Sequence, residues 1–115
     1  MNITIQQDKL ITALRFVERI VAKNISLPIL ATILLKAEGS TVTLQATNLE
    51  MGIRYSLGAK VEGIGSIAIP ARTFSEFIGS IHDEKVGLAF AKNILTISSD
   101  TFETKILCMP PDEFP

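Results

Sequence analysis

The spacing of apolar residues changes several times along the chain. In residues 1–6, Ile3 and Ile5 alternate with Asn2, Thr4 and Gln6, the two-residue repeat of a half-buried strand. From Asp8, a candidate N-cap, the repeat lengthens. Leu10, Leu14, Val17 and Val21 recur at helical spacing, with Ala13 and Ile20 beside them, and predict a helix to about Ala22. Residues 29–38 are apolar and β-rich and end in the turn Glu38-Gly39-Ser40. Residues 41–46 set Val42 and Leu44 against Thr41, Thr43 and Gln45. Residues 51–61 read as the next strand, with Gly58 a candidate bulge. A turn at 62–65 and a short strand at 66–69 lead to Pro70.

There the pattern restarts. Pro70 opens a second predicted helix, from Ala71 to about Ile81, with Phe74, Phe77, Ile78 and Ile81 on its apolar face. Strands at 85–90, 94–98 and 102–109 follow. Strand, helix, three strands thus occurs twice, a duplication of topology without evident repetition of sequence. Short connections between strands imply antiparallel pairing. The expected fold is α+β, with both helices on one face of the sheets.

Length and composition narrow the class. At 115 residues, 47% hydrophobic and 20% charged, the chain has the size and composition of one folded domain, not of a disordered segment. Its longest apolar run, residues 27–35, is interrupted by Pro28 and Thr32 and falls well short of the ~20 residues of a membrane span. Residues 1–5 lack the basic start and cleavage site of a secretory signal. One cysteine, Cys108, and one histidine, His82, make neither an internal disulfide nor a metal site. These features lead us to expect a cytoplasmic protein with no cofactor, metal or membrane contact.

No catalytic constellation emerges. Cys108 reads as a structural thiol in a strand, and Asp83 and Glu84 as solvated acids in a turn. Gly63 and Gly65 sit in a hairpin-like turn, where a lone G-x-G does not form a dinucleotide loop. A hydrolase reading lacks a nucleophile–base pair, and a module for a small apolar ligand lacks a pocket signature. Net charge is −1, so nucleic-acid binding would depend on where the charges sit. Arg15, Arg19 and Lys23 fall at i, i+4 and i+8, on the side of the first helix opposite its apolar face. Such a row can follow a phosphate backbone, although plain solvation of a wet helix face is the competing and commoner explanation. No exposed aromatic residues are expected to be interleaved with the row, which argues against stacking on single strands.

Short segments spread along the chain carry a resemblance: LPIL at 27–30, ILL at 33–35, TNLEM at 47–51, IPARTF at 69–74 and PPDEFP at 110–115. In this order and spacing they resemble the amino-terminal domain of the bacterial sliding clamp family, the beta subunit of DNA polymerase III. That resemblance implies a non-catalytic processivity factor of three similar domains. Two such chains would close head to tail around duplex DNA, slide without sequence preference and tether the polymerase. It implies a clamp fold, with residues 1–115 as the first domain and 110–115 beginning the link to a second. Implied partners are duplex DNA, a second clamp chain, and the polymerase and clamp loader through the full-length protein. The peptide-binding cleft of the family lies between the second and third domains. By resemblance, Arg15, Arg19, Lys23, Asn24 and Arg72 face DNA, and Phe102, Thr104 and Ile106 form the dimer edge. Two positions depart from the family pattern: Asn24 replaces a frequent arginine, and Thr104 a larger apolar residue.

Overall fold

A computed structural model describes residues 1–21 and 28–115. Strand β1 (Asn2–Gln6) leads into helix α1 (Gln7–Val17), which tightens to a 3-10 turn over Glu18–Ile20. After a second 3-10 turn, Pro28–Ala31, come β2 (Thr32–Glu38), β3 (Thr41–Thr47), β4 (Gly52–Gly58) and β5 (Lys60–Glu62). The second unit comprises β6 (Gly65–Pro70), α2 (Ala71–Ser80), β7 (Lys85–Ala91), β8 (Ile94–Ser98) and β9 (Glu103–Leu107). A last 3-10 turn covers Pro111–Glu113.

The strands form two antiparallel sheets, in the orders β5-β1-β7-β8-β9 and β4-β3-β2-β6. Each unit contributes its first strand to the sheet of the other. β1 pairs with β7, setting Ile3 opposite Leu88, and β6 pairs with β2, setting Ile69 opposite Ile33. The halves are therefore interlocked, and each sheet is completed only by the other unit. Alternation aims Ile3, Leu35, Leu44, Ile67, Ile69, Leu88, Leu95 and Ile97 at the helices. Leu10, Ala13, Leu14 and Val17 of α1, with Ala71, Phe74 and Ile78 of α2, close that face. The β7–β8 hairpin turns on Lys92 and Asn93, both at positive φ (51° and 66°), the geometry of a two-residue turn that matches strand twist.

Several boundaries differ from the sequence expectation. The helix begins at Gln7, with Gln6 at the N-cap position; Asp8 lies in the first turn, where its Oδ1 accepts from the Lys9 N–H. Its α-helical part ends at Val17, and Val21 is already extended (ψ 129°). Ile20 and Val21 are β-branched, and their helical periodicity overran the regular helix. Residues 29–31, expected to begin β2, lie instead in the 3-10 turn Pro28–Ala31, whose first position suits the fixed φ and missing N–H of Pro28. The strand expected over 51–61 is two strands in different sheets, divided at Ala59. β9 is shorter than expected, ending at Leu107.

Residues beyond β9 pack against the domain. Met109 exchanges backbone hydrogen bonds with Ala68 of β6: its N–H donates at 2.8 Å and its carbonyl accepts at 3.2 Å. Met109 and Phe114 then cover Ile29, Leu30 and Ala68, a small apolar cluster separate from the main core.

Candidate nucleic-acid interface

On α1, burial of Leu10, Ala13, Leu14 and Val17 leaves Lys9, Thr12, Arg15, Phe16 and Arg19 exposed. Arg15 and Arg19 lie on that wet side, as their spacing predicts, and neither forms an ion pair with a carboxylate among the described residues. The change to 3-10 geometry after Val17 adds about 20° per residue, so Arg19 is swung further round from Arg15 than an unbroken helix would place it. Arg19 sits over the Phe16 ring, 5.5 Å from its centroid, and Phe16 in turn meets Tyr55 of β4 at 5.8 Å. These contacts hold one cation at the β4 side of the helix, and the exposed Phe16 overturns the expectation that no exposed aromatic is interleaved with the cations. Lys23 and Asn24 lie outside the described residues.

α2 is arranged differently. Its Leu10-, Ala13- and Val17-like buried positions are Ala71, Phe74 and Ile78, and in that correspondence Glu76 falls where α1 has Arg15. Arg72 is exposed in the first turn, but its Nε donates to Glu76 Oε1 at 3.1 Å. The two helices are tied side by side by the Ser75 hydroxyl, which donates to the Glu18 carboxylate. Between them lies a cleft of about 540 Å³ bounded by Glu18, Val21, Ala31, Ala71, Arg72, Ser75 and Glu76. Its lining mixes two carboxylates and a guanidinium with the apolar side chains of Val21, Ala31 and Ala71. Sequence reading found the cations and missed Glu76. The i, i+4 spacing of Arg72 and Glu76 was the available signal, whereas nothing local announces the Ser75–Glu18 contact.

Among the described residues β9 pairs only with β8, leaving its outer backbone edge without a partner there, and β4, which pairs only with β3, has a similar edge. Of the residues expected on the β9 edge, Ile106 is 6% exposed and belongs to the main core. Thr104 is half-buried on the same inward face, and Phe102 packs against Phe77 of α2 at 5.8 Å. What β9 offers outward is backbone together with the side chains of Glu103, Lys105 and Leu107, the last 77% exposed. Cys108 is also buried, and burial pushes its thiol up to about 11, the environment of an inert group. His82 is exposed in the turn after α2, and Asp83 accepts from the Thr101 hydroxyl at 3.0 Å, joining two turns. Neither is paired with the cysteine. No helix among the described residues is long and apolar enough to cross a membrane, and those residues contain no cluster of three metal-ligating side chains.

Two interlocked strand–helix–strands units, with both helices on one face of antiparallel sheets, define a domain of the DNA-clamp class. The chain belongs to the family described as DNA polymerase III beta subunit, N-terminal domain, whose model matches residues 1–115. A beta sliding clamp of Caulobacter vibrioides is 32% identical over 118 residues, covering 100% of this chain and 32% of the relative. Among solved structures, a sliding clamp of Bartonella birtlesii bound to griselimycin superposes with a TM-score of 0.95 at 28% identity, over 100% of this chain and 31% of that one. The pol III beta protein of Caulobacter crescentus gives 0.94 at 33% identity, with the same two coverages. The chain thus spans about one third of the length of the relatives it matches.

Proposed function

We propose that this domain is the DNA-facing amino-terminal part of a sliding clamp, a non-catalytic processivity factor acting in the cytoplasm. Within a ring of two longer chains it contributes two helices to the DNA side and the β9 edge to ring closure. Such a ring would encircle duplex DNA, slide without reading sequence and hold the replicative polymerase, with the clamp loader acting on the full-length protein. The observation that carries this reading is the exposed Arg15 and Arg19, free of carboxylate partners among the described residues, on a helix whose opposite face is wholly buried. Lys23, Asn24 and Arg72 complete the proposed DNA-facing set. Phosphate attraction is strong in sum yet weak at each contact, which suits motion along the duplex. At the dimer edge, backbone pairing along β9 is the main contact, flanked by Phe102 and Thr104, while Ile106 supports the strand from inside. Residues 109–115 lead toward the following domain from a packed anchor.

DNA binding across a salt series tests the proposal. Arg15→Ala/Arg19→Ala is expected to weaken retention on random-sequence duplex. It should also flatten the dependence of log K on log salt by up to about 1.8, near 0.9 for each phosphate that is no longer neutralised. An unchanged slope and affinity would remove this helix face from the DNA path.

A further inference from the structure

We infer that Glu76 is an internal substitute for a DNA phosphate, occupying Arg72 until the duplex displaces it. This rests on the reading that the helix face meets DNA, and it concerns how strongly that face holds on. The two helices of the duplicated fold are not electrostatic equivalents. α1 and the 3-10 turn that continues it present Arg15 and Arg19 without carboxylate partners among the described residues, while α2 presents one guanidinium already bonded to a carboxylate four residues later. The position matching Arg15 in the second unit is Glu76 itself.

The pair is built to open. Its side chains are 90% and 66% exposed, so water screens their attraction and both retain most of their rotamer freedom. The order Arg then Glu along the helix is also the less favourable one for an i, i+4 pair. A phosphate offers Arg72 the same geometry of charged oxygen acceptors that Glu76 offers now. As the chain slides, Arg72 can pass from carboxylate to phosphate and back without ever being left unpaired. One strong contact becomes an exchange between near-equals, which lowers both the gain on binding and the barrier to leaving. Glu18, the other carboxylate of the cleft, is already engaged by Ser75 and does not compete for Arg72 in this way.

The test uses four chains, namely wild type, Glu76→Gln, Arg72→Gln and the double variant, measured for retention on immobilised random-sequence duplex across a salt gradient. Arg15→Ala/Arg19→Ala serves as the reference for the face as a whole. Glu76→Gln is expected to bind about 1.4- to 5-fold tighter than wild type, the worth of an exposed ion pair. The slope of log K against log salt should steepen by up to about 0.9, as one further cation becomes free to neutralise phosphate. In the Arg72→Gln background the same change should give less than half that gain. Equal gains in both backgrounds would mean that Glu76 acts by general repulsion, and no gain in either would mean that it does not restrain Arg72; both overturn the inference. If the reference variant binds as wild type does, the DNA reading of the face fails. Weakened retention in the reference variant with no response to Glu76→Gln would sink only the substitute-phosphate inference.

Discussion

Replacing Phe114 with alanine tests whether the segment after β9 is part of the folded body or a free connection. Phe114 is half-buried against Ile29, Leu30 and Ala68, and the backbone pairing of Met109 with Ala68 sets its approach. A phenylalanine buries about 150–250 Å² when fully covered, and about two thirds of that is at stake in this site. At about 25 cal/mol per Å², the gross term is about 3 kcal/mol. Residual burial in the unfolded chain and the cost of ordering the tail reduce it to a net loss of about 1–2 kcal/mol. For a domain of this size that is a fall in Tm of about 4–8 °C. Thermal unfolding followed by circular dichroism reads it directly. Glu113→Ala, an exposed change on the same 3-10 turn, is the control and should melt within about 1 °C of wild type. If Phe114→Ala also melts within about 1 °C of wild type, the tail is not anchored and the second apolar cluster contributes no stability.

Two further outcomes are expected. Ile106→Ala should cost about 2–4 kcal/mol in chemical denaturation, because Ile106 faces the core, whereas Thr104→Ala should cost under about 1 kcal/mol. Equal effects would show that Ile106 does not face inward. Cys108 should react with a thiol reagent at pH 8 only as fast as the domain unfolds. Its folded value, raised by burial from the ordinary 9.0 to about 11, lies above that of the unfolded chain. The stability it contributes is therefore complete below pH 9 and is lost as pH rises toward about 11. Prompt labelling of the native protein, or a Cys108→Ala variant with the same decline in stability over that interval, would refute this.

Much of the architecture was legible because each strand and helix has one wet and one dry side. The two-residue repeat of Thr41 to Ala46 and the helical repeat of Leu10 to Val17 announce their own elements and their own buried faces. The order of elements, and so the duplication, followed from that pattern, apart from the division of residues 51–61 into β4 and β5. So did the exposure of Arg15 and Arg19, since a residue opposite a buried stripe has only solvent to face. The resemblance carried by five short segments then supplied the clamp class and the DNA reading, which periodicity alone could not.

What the chain could not disclose locally was decided by contacts between distant residues. That β1 joins β7 while β6 joins β2 is a matter of sheet completion between units, and the same alternating pattern would serve a sheet confined to one unit. Ile20 and Val21 continue a helical repeat on paper, but the backbone tightens and then extends there on its way out of the helix. Residues 110–115 read as the start of a link, yet Phe114 is held against Ile29 and Leu30, far upstream in the chain. Periodicity reports which side of an element avoids water and carries no address for what will cover it. Ser75 meets Glu18 only when the two units close on one another, and Met109 meets Ala68 only when the fold brings the end of β9 back to β6, because burial rewards any apolar neighbour while backbone geometry admits just one.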